Sequence, residues 1–309
     1  MGRKEHLSYT LCAIALPGIN NDKTKVAYKR AIKQFEKWGK VNGVCKLADV
    51  TTTTIQKYTD DLMKAGYSPS SIHTKLAPLC KAIDINMADI EKPLRTADTI
   101  TRGRRKEANQ QGKREESLPQ YARLVELQRA VGIRRAELGR LTGKDLVEDE
   151  SGHLCVYVRR GKGGKDTLQR VLEGHEDVVK RIFAEKKPEE KIFNRLEMSN
   201  HINLHRMRAE AGREAYEHYL QLDDEGRAKL RKELIDRWDA LHYTDEGGRR
   251  AFIDTLNNDS PYYLRGENRA KAERLGLPVA YDRLSLMAVS VFHLSHWRLN
   301  VTVENYMVQ

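Results

Sequence analysis

Four short stretches of the 309-residue sequence carry side chains that could act on a phosphate group. In a Gly-Ile-Arg-Arg-Ala-Glu-Leu run, Arg134 and Glu137 are three residues apart and would share one helix face. In a Gly-Lys-Gly-Gly-Lys run, the glycines allow a tight turn with Lys162 and Lys165 at its tip. Taken alone, the first run also fits an interhelical turn with a surface ion pair, and the second fits a solvated hairpin.

The other two stretches combine histidine with arginine and with tyrosine. His205 and Arg208 would project from the same face of a helix. An arginine binds phosphate oxygens through a bidentate fork, and a histidine exchanges protons near neutral pH. Further on, His296 lies ten residues before Tyr306. By itself, each stretch has an ordinary interpretation, as a surface His–Arg pair or a packed terminal aromatic.

Two other kinds of site are disfavoured. His201 and His205 have half of a zinc-binding spacing, but the residues between them are Ile-Asn-Leu and no third ligand is evident. The glycine run is not a phosphate-binding P-loop, because Lys165 is followed by Asp166 and no strand-to-helix pattern surrounds it. Two arginines and a lysine among the candidate residues can supply the positive charge that a metal ion would otherwise supply, so we predict no metal ion and no cofactor.

The composition limits the class of protein. A net charge of +11 and a pI near 9.4 suggest a polyanionic partner, and 39% hydrophobic residues are enough for a folded chain. The four cysteines are far apart, which argues against a disulfide framework and fits a reducing cytoplasm. No apolar run approaches the roughly 18 residues that span a bilayer. The stretch from Leu7 to Ile19 is interpreted as a mature N-terminus rather than a signal peptide.

Three amphipathic helices are predicted in the N-terminal part. Apolar residues recur there at three- and four-residue intervals, without any strand pattern. Residues 51–54 can cap the second helix, and Pro69 is tolerated at the start of the third. The apolar faces of the three helices are, in order, Tyr28, Ile32 and Phe35; Ile55, Tyr58 and Leu62; and Ile72, Leu76, Leu79 and Ile83.

A basic stretch follows these helices. Residues 95–114 hold seven basic side chains and two acidic ones, and glycines interrupt any periodicity. This composition predicts an interdomain linker at 95–117, which is either a solvated loop or a strap that binds nucleic acid through its phosphates. The candidate DNA-binding residues are Arg102, Arg104, Arg105, Lys106 and Lys165.

The C-terminal part mixes helices with one β-hairpin. Helices are predicted at about 118–131 and 134–141, and β-rich runs at 154–158 and 167–172 flank the glycine turn. Helices dominate after the hairpin, and one of them has the apolar face Leu230, Leu234, Trp238 and Leu241. The predicted fold class is mainly α, with a helical N-terminal domain at 1–94 and a mixed α/β domain with a small hairpin at 118–309.

Taken in order, the candidate residues resemble the motifs of the tyrosine recombinase, or phage-integrase, family. That family has an Arg in Gly-x-Arg-x-x-Glu-Leu, a Lys in a Gly-Lys-Gly-x-Lys hairpin, a His-x-x-Arg box, a Leu-Gly-His-like box and a terminal Tyr. The matching residues of this sequence are Arg134, Lys162, His205, Arg208, His296 and Tyr306. The predicted helices before residue 95 look like the core-binding domain of the family, so the resemblance covers most of the chain.

The sequence also departs from the family pattern. Ser295 stands where the family usually has glycine, and the spacing from His296 to Tyr306 is one residue longer than the commonest one. Between Arg208 and His296 lie 87 residues, which predicts an insertion at about 215–280. Three residues follow Tyr306, so we do not expect the usual docking of a C-terminal tail on a neighbouring subunit.

The resemblance implies a site-specific recombinase or integrase of a mobile genetic element. The implied partner is a double-stranded DNA site, bound by a homo-tetramer that holds two duplexes, in the cytoplasm at the nucleoid. Tyr306 would attack phosphorus and form a covalent 3′-phosphotyrosine. The other implied roles are His205 as general base supported by Glu137, Arg134 and Arg208 as the phosphate clamp, Lys162 as general acid, and His296 as a hydrogen-bond donor to the phosphate.

Other classes of protein remain compatible with these features. A type IB topoisomerase-like enzyme would share the nucleophile and the clamp but would relax supercoils as a monomer. A non-enzymatic DNA-binding accessory protein could keep the same architecture, although it would need no nucleophile. A basic RNA-binding or structural helical protein would have no reason to combine a lysine hairpin with a terminal tyrosine.

Overall fold

The structure, a computed structural model, describes residues 6–95, 106–161, 164–242 and 246–308. The chain divides into two units, Met1–Gly103 and Arg104–Gln309. Among the described residues, no helix has both the length and the apolar character needed to cross a membrane.

Four α-helices and two short 3-10 helices make up the regular structure in the described part of the N-terminal unit. Thr51 accepts a hydrogen bond from the backbone N–H of Thr54, and Ser68 caps the next helix in the same way, as its Ser-Pro start predicts. The three predicted helices are confirmed. The helices are α1 (Leu7–Ala15), α2 (Asp22–Val41), α3 (Thr52–Lys64) and α4 (Pro69–Ala82).

The apolar faces of these helices meet in one core. Phe35 of α2 packs edge-on against Tyr58 of α3, with ring centroids 5.1 Å apart. Helix α1 adds Leu7 and Leu11 to this core, both of them buried. Helix α1 was not predicted, because a nine-residue helix that is apolar over most of its surface gives no clear periodic signal.

The C-terminal unit contains helices around a small antiparallel sheet, so the predicted fold class is confirmed. Residues 106–116 of the stretch predicted as a linker are helical. The first helices are α5 (Lys106–Glu116), α6 (Ala122–Val131), α7 (Arg135–Leu138), α8 (Glu176–Ala184), α9 (Arg195–Met198) and α10 (Leu204–Leu220). The later helices are α11 (Asp224–His242), α12 (Glu246–Leu256), α13 (Gly266–Arg274), α14 (Arg283–Ala288) and α15 (Leu299–Thr302).

The main sheet has the order β1-β2-β3, with strands β1 (Leu146–Glu148), β2 (Leu154–Val158) and β3 (Thr167–Arg170). The β2–β3 hairpin is the predicted one, and β1 was not expected from the sequence. At the turn, Asp166 accepts hydrogen bonds from the Arg160 backbone N–H and the Tyr157 hydroxyl, both at 2.7 Å. This aspartate, which argued against a P-loop, therefore closes the hairpin.

The predicted insertion packs into the core of the C-terminal unit. It comprises the end of α10, then α11, α12 and α13, with a two-stranded sheet of β4 (Tyr262–Tyr263) and β5 (Ala280–Tyr281). Leu230 and Leu234 of α11 are buried, as predicted. Leu241 is 56% exposed, so its assignment to the apolar face was wrong. The apolar face ends at Trp238, which packs against the core, and Leu241 lies one turn nearer the end of the helix.

A buried ion-pair network joins this insertion to the main sheet. Arg170 of β3 donates at 2.7 Å to Asp149 and at 2.7 Å to Glu233 of α11, and Arg237 of α11 donates to Asp149 at 3.1 Å. The Arg170 guanidinium also lies 3.6 Å from the ring centroid of Phe292. Breaking such a buried pair by removing one partner costs about 3–5 kcal/mol, so the network fixes α11 firmly to the sheet.

His293 lies beside this network. It is buried, and its Nε2 lies 3.0 Å from the Tyr219 hydroxyl. Burial, with a further contribution from the positive charge of Arg170, lowers the pKa of His293 to about 3. The imidazole is therefore neutral in the folded protein at any pH near neutrality.

We predict an acid-sensitive stability that depends on His293. The unfolded chain protonates this histidine near pH 6.5 and the folded protein only near pH 3, so the unfolded state binds more protons between these values. Stability should therefore fall as the pH drops through this window, by about 2 kcal/mol between pH 7 and pH 5. In His293→Gln this part of the loss should disappear. Urea unfolding at the two pH values measures it, and an unchanged pH dependence in the variant would contradict the assignment.

Candidate active site

Five of the six candidate catalytic residues lie within the described part of the chain and meet around one tyrosine. Arg134 precedes α7, His205 and Arg208 lie on α10, and His296 and Tyr306 lie in the C-terminal segment. Lys162 lies outside the described residues. The chain next to it contacts the site, because a β-carbon at Gly161 would lie 3.2 Å from a carboxylate oxygen of Glu137.

Arg134 is held by a local capping arrangement. Its backbone N–H and its guanidinium both donate to the buried Glu137 carboxylate, at 3.3 and 3.1 Å, and its second guanidinium nitrogen donates to the Leu294 carbonyl at 3.3 Å. Gly132, two residues earlier, has a left-handed backbone with φ of 68°, and a β-carbon there would lie 3.3 Å from Cα of Arg208. The glycine thus allows the α6–α7 turn to approach α10 closely.

Arg208 is the most constrained residue of the site, with 1% of its surface exposed. Its guanidinium donates to the Gly132 carbonyl, to Gln169 Oε1 at 2.7 Å and to the Leu294 carbonyl at 2.8 Å. Its Nε donates to the Tyr306 hydroxyl at 3.4 Å. Burial lowers the pKa of Arg208, but an arginine remains charged in proteins. The result is a fixed positive charge beside the tyrosine.

Tyr306 is 5% exposed, and its phenol faces the two arginines. Burial would raise its pKa, but the charges of Arg208 and Arg134 and their hydrogen bonds to the phenol outweigh burial, so the pKa is lowered from its usual value. The ring of His205 lies 5.6 Å from the Tyr306 ring between centroids, and that of His296 lies 6.1 Å away. His205 is an exposed residue.

Ser290 holds the His296 segment in place. Its Oγ lies 2.9 Å from His296 Nδ1, donates to the His296 carbonyl and accepts from the Arg298 backbone N–H at 3.1 Å. The His296 backbone N–H also donates to the Ser290 carbonyl at 2.9 Å. Sequence reasoning missed Ser290 and also Gln169, because neither lies in a recognisable motif. Their roles follow only from the contacts that they make.

The two local departures from the family pattern have structural explanations. Ser295 has a φ of 54°, a left-handed conformation that glycine adopts without strain. Tyr306 lies in a π-helical turn, Val303–Met307, closed by the Val308 N–H to Val303 carbonyl bond at 3.1 Å. A π turn contains more residues than an α turn, so it accommodates the longer spacing from His296.

The remaining candidate residues are those predicted for DNA binding and those considered for a metal site. Lys165 is exposed on the hairpin, and Lys106 begins α5. His201, considered above as half of a zinc site, lies 3.0 Å from a carboxylate oxygen of Glu115. Within the described residues there is no group of three or more potential metal ligands. The predicted DNA-binding residues Arg102, Arg104 and Arg105 lie outside the described residues.

Comparison with known proteins supports the family assignment. Residues 20–81 match the phage integrase N-terminal SAM-like domain. No protein of curated function matches the sequence. The N-terminal unit thus carries a phage-integrase domain, which confirms the predicted resemblance to the tyrosine recombinase, or phage-integrase, family.

Similar solved structures include two of the Tn1549 transposon integrase. In complex with transposon right end DNA, it is 14% identical with a TM-score of 0.45, and in complex with a circular intermediate DNA it is 13% identical with a TM-score of 0.44. Both matches cover 98% of this chain and 95% of that one. XerA recombinase is 17% identical over 74% of this chain and 84% of its own, with a TM-score of 0.23.

The geometry of the His296 segment generates a pair of opposite predictions for stability. Ser295→Gly should raise the free energy of unfolding by about 0.5–1 kcal/mol, because it removes left-handed strain and a buried hydroxyl that has no hydrogen-bond partner among the described residues. Ser290→Ala should lower it by about 1–3 kcal/mol, since buried partners lose their hydrogen bonds. Chemical denaturation of both variants checks the pair, and two changes of the same sign would refute the described turn.

Proposed function

We propose that the protein is a site-specific DNA recombinase that cleaves and rejoins strands through a covalent 3′-phosphotyrosine at Tyr306. The observation that carries the proposal is a buried phenol, 5% exposed, in contact with two fixed arginines and flanked by two histidines. An ordinary core tyrosine has no need of two guanidinium groups. A nucleophile that attacks a phosphodiester needs both a stabilised phenolate and cations beside the phosphate.

The two arginines supply the electrostatic part of the proposed reaction. Negative charge builds on the non-bridging oxygens when the phenol oxygen attacks phosphorus, and donors that are already oriented stabilise it without reorganisation. Glu137 orients Arg134, while the carbonyl groups of Gly132 and Leu294 orient Arg208. In this structure the Tyr306 hydroxyl accepts a hydrogen bond from Arg208 Nε–H. Once the phenol oxygen has bonded to phosphorus, this N–H can donate to a phosphate oxygen instead.

Proton transfers complete the mechanism. A free tyrosine has a pKa of about 10, and the lowered pKa of Tyr306 makes its proton easier to remove. We propose His205 as the base that accepts this proton. Lys162 would protonate the leaving 5′ oxygen, and His296 would donate a hydrogen bond to the phosphate. The phosphotyrosine bond stores the energy of the broken phosphodiester, so a DNA hydroxyl can later reverse the attack without ATP.

The assembly and the biological setting extend this proposal. We propose domain limits of 1–94 and 118–309, with a basic linker at 95–117. Arg102, Arg104 and Lys106 of this linker would bind the phosphates of duplex DNA. We propose a homo-tetramer on two duplexes that serves a mobile genetic element at the nucleoid. The net charge of +11 and the phage-integrase SAM-like domain at 20–81 support DNA as the partner.

We predict that Tyr306→Phe binds DNA like the wild type but forms no covalent adduct. The assay uses nicked suicide duplexes with a randomised core, and it scores protein–DNA adducts that survive denaturant; gel shift provides the binding control. An undiminished adduct in the variant would rule out Tyr306 as the nucleophile. Relaxation of a supercoiled plasmid without recombinant products would support the topoisomerase-like alternative, and binding without an adduct in the wild type would support the accessory protein.

We predict that a better leaving group rescues Lys162→Ala. The variant should cleave ordinary DNA about 10²–10⁴-fold more slowly than the wild type, because the leaving 5′ oxygen lacks its proton donor. Replacing that oxygen by sulfur, a leaving group that needs no proton, should restore most of the rate. Arg134→Ala is the matched control and should stay slow on both substrates, since it lacks a charge rather than an acid. A sulfur substrate that fails to rescue Lys162→Ala would remove the lysine from this role.

A further inference from the structure

The insertion meets the segment of His296 through an aromatic cluster. This cluster consists of Trp238 on α11, Phe252 on α12 and Trp297, the residue after His296. The rings of Trp238 and Phe252 stack at 4.7 Å, and Trp297 packs edge-on against both, at 5.2 and 5.3 Å between centroids. Thus two inserted helices hold the immediate neighbour of a candidate active-site residue.

We infer that Trp238 and Phe252 are positioning residues, which fix His296 in the active site through Trp297. The inference rests on the proposed function for its catalytic consequence. The recombinase motifs assign no role to the insertion, and this inference gives it one in the reaction.

The local backbone explains why His296 needs such an anchor. Residues 294–298 lie between the π turn Val289–His293 and helix α15, and they form no helix or strand themselves. Ser290 bonds the backbone and ring of His296 from one side. The aromatic cluster holds the adjacent Trp297 from the other. With the cluster removed, this irregular segment would lose the packing of Trp297. It would keep the bonds of Ser290 to His296 and those of Arg134 and Arg208 to the Leu294 carbonyl.

The insertion also contacts the turn that carries Tyr306. On α13, Asn268 donates to the Glu304 carboxylate at 3.2 Å, and Lys271 donates to the Val308 carbonyl at 2.9 Å. The same inserted region therefore touches the chain beside His296 and the chain on both sides of Tyr306. This second contact is independent of the aromatic cluster and supports a positioning task for the insertion as a whole.

The test compares Trp238→Leu with Trp238→Phe in single-turnover cleavage of the suicide DNA. Trp238→Leu should lower the cleavage rate constant at saturating DNA by about 10- to 100-fold, since small misplacements of catalytic groups cost this much. DNA affinity should not change, and Trp238→Phe should recover most of the rate because a ring is retained.

A control variant and a second background separate positioning from general destabilisation. Leu230→Ala removes a buried side chain from the same helix, eight residues or about 12 Å from Trp238, and should lower the melting temperature but not the rate constant. In a His296→Ala background, Trp238→Leu should have no further effect, because the histidine through which it acts is gone. An equal fall in both backgrounds, or the same loss of rate in Leu230→Ala, would overturn the inference.

A measurement without DNA distinguishes failure of this inference from failure of the proposed function. In protein labelled with ¹⁵N at histidine, the His296 ring signals, assigned by their loss in His296→Ala, should shift in Trp238→Leu and stay in place in Leu230→Ala. Unshifted signals would overturn the inference and leave the recombinase proposal intact. The signals could instead shift while the wild-type protein forms no DNA adduct. That result would overturn the recombinase proposal and the catalytic consequence of the inference, but the positioning of His296 by Trp238 would stand.

Discussion

The site depends on the solvation of one buried charge, the guanidinium of Arg208. A cation that is 1% exposed is tolerated only if nearby dipoles replace the water that it has lost. Its partners come from four separate segments: the α6–α7 turn with Gly132, strand β3 with Gln169, the chain at Leu294, and Tyr306 in the last turn. Satisfying this charge therefore requires all four segments in place, so folding of the C-terminal unit and assembly of the site are one event.

Much of the secondary structure could be predicted from local features of the sequence. Caps at Thr51 and Ser68 and regular apolar spacing identified α3 and α4, and the glycine turn identified the β2–β3 hairpin. The candidate catalytic residues were predicted from the family motifs, not from periodicity, and the structure places the five described ones close together. Ser290 and Gln169 escaped prediction because their importance lies in contacts with distant parts of the chain, which leave no local pattern.

The two local departures from the family pattern concern the residue before His296 and the spacing to Tyr306, and they leave the described candidate catalytic side chains in place. The serine at position 295 has a left-handed backbone, which costs a residue other than glycine about 1–2 kcal/mol. The extra residue before Tyr306 is accommodated by a π turn, so the phenol still reaches Arg208. A motif search scores both changes as mismatches, whereas the structure shows that His296, beside the first, contacts Ser290 and that Tyr306, beside the second, contacts Arg208.

The sequence predicts an insertion at about 215–280 without a role for it, and the contacts of this segment explain why it belongs to the C-terminal unit. Glu233 and Arg237 complete a buried ion-pair network with Asp149 and Arg170, so without α11 Arg170 would lose one of its two described carboxylate partners and Asp149 would lose one of its two described guanidinium partners. Because Arg170 lies one residue after Gln169 on β3, the strand that α11 fixes is the same strand that receives the Arg208 guanidinium. The insertion therefore also stabilises the candidate site through β3, independently of its aromatic contact with Trp297. Loss of the insertion would affect the position of Arg208 as well as that of His296.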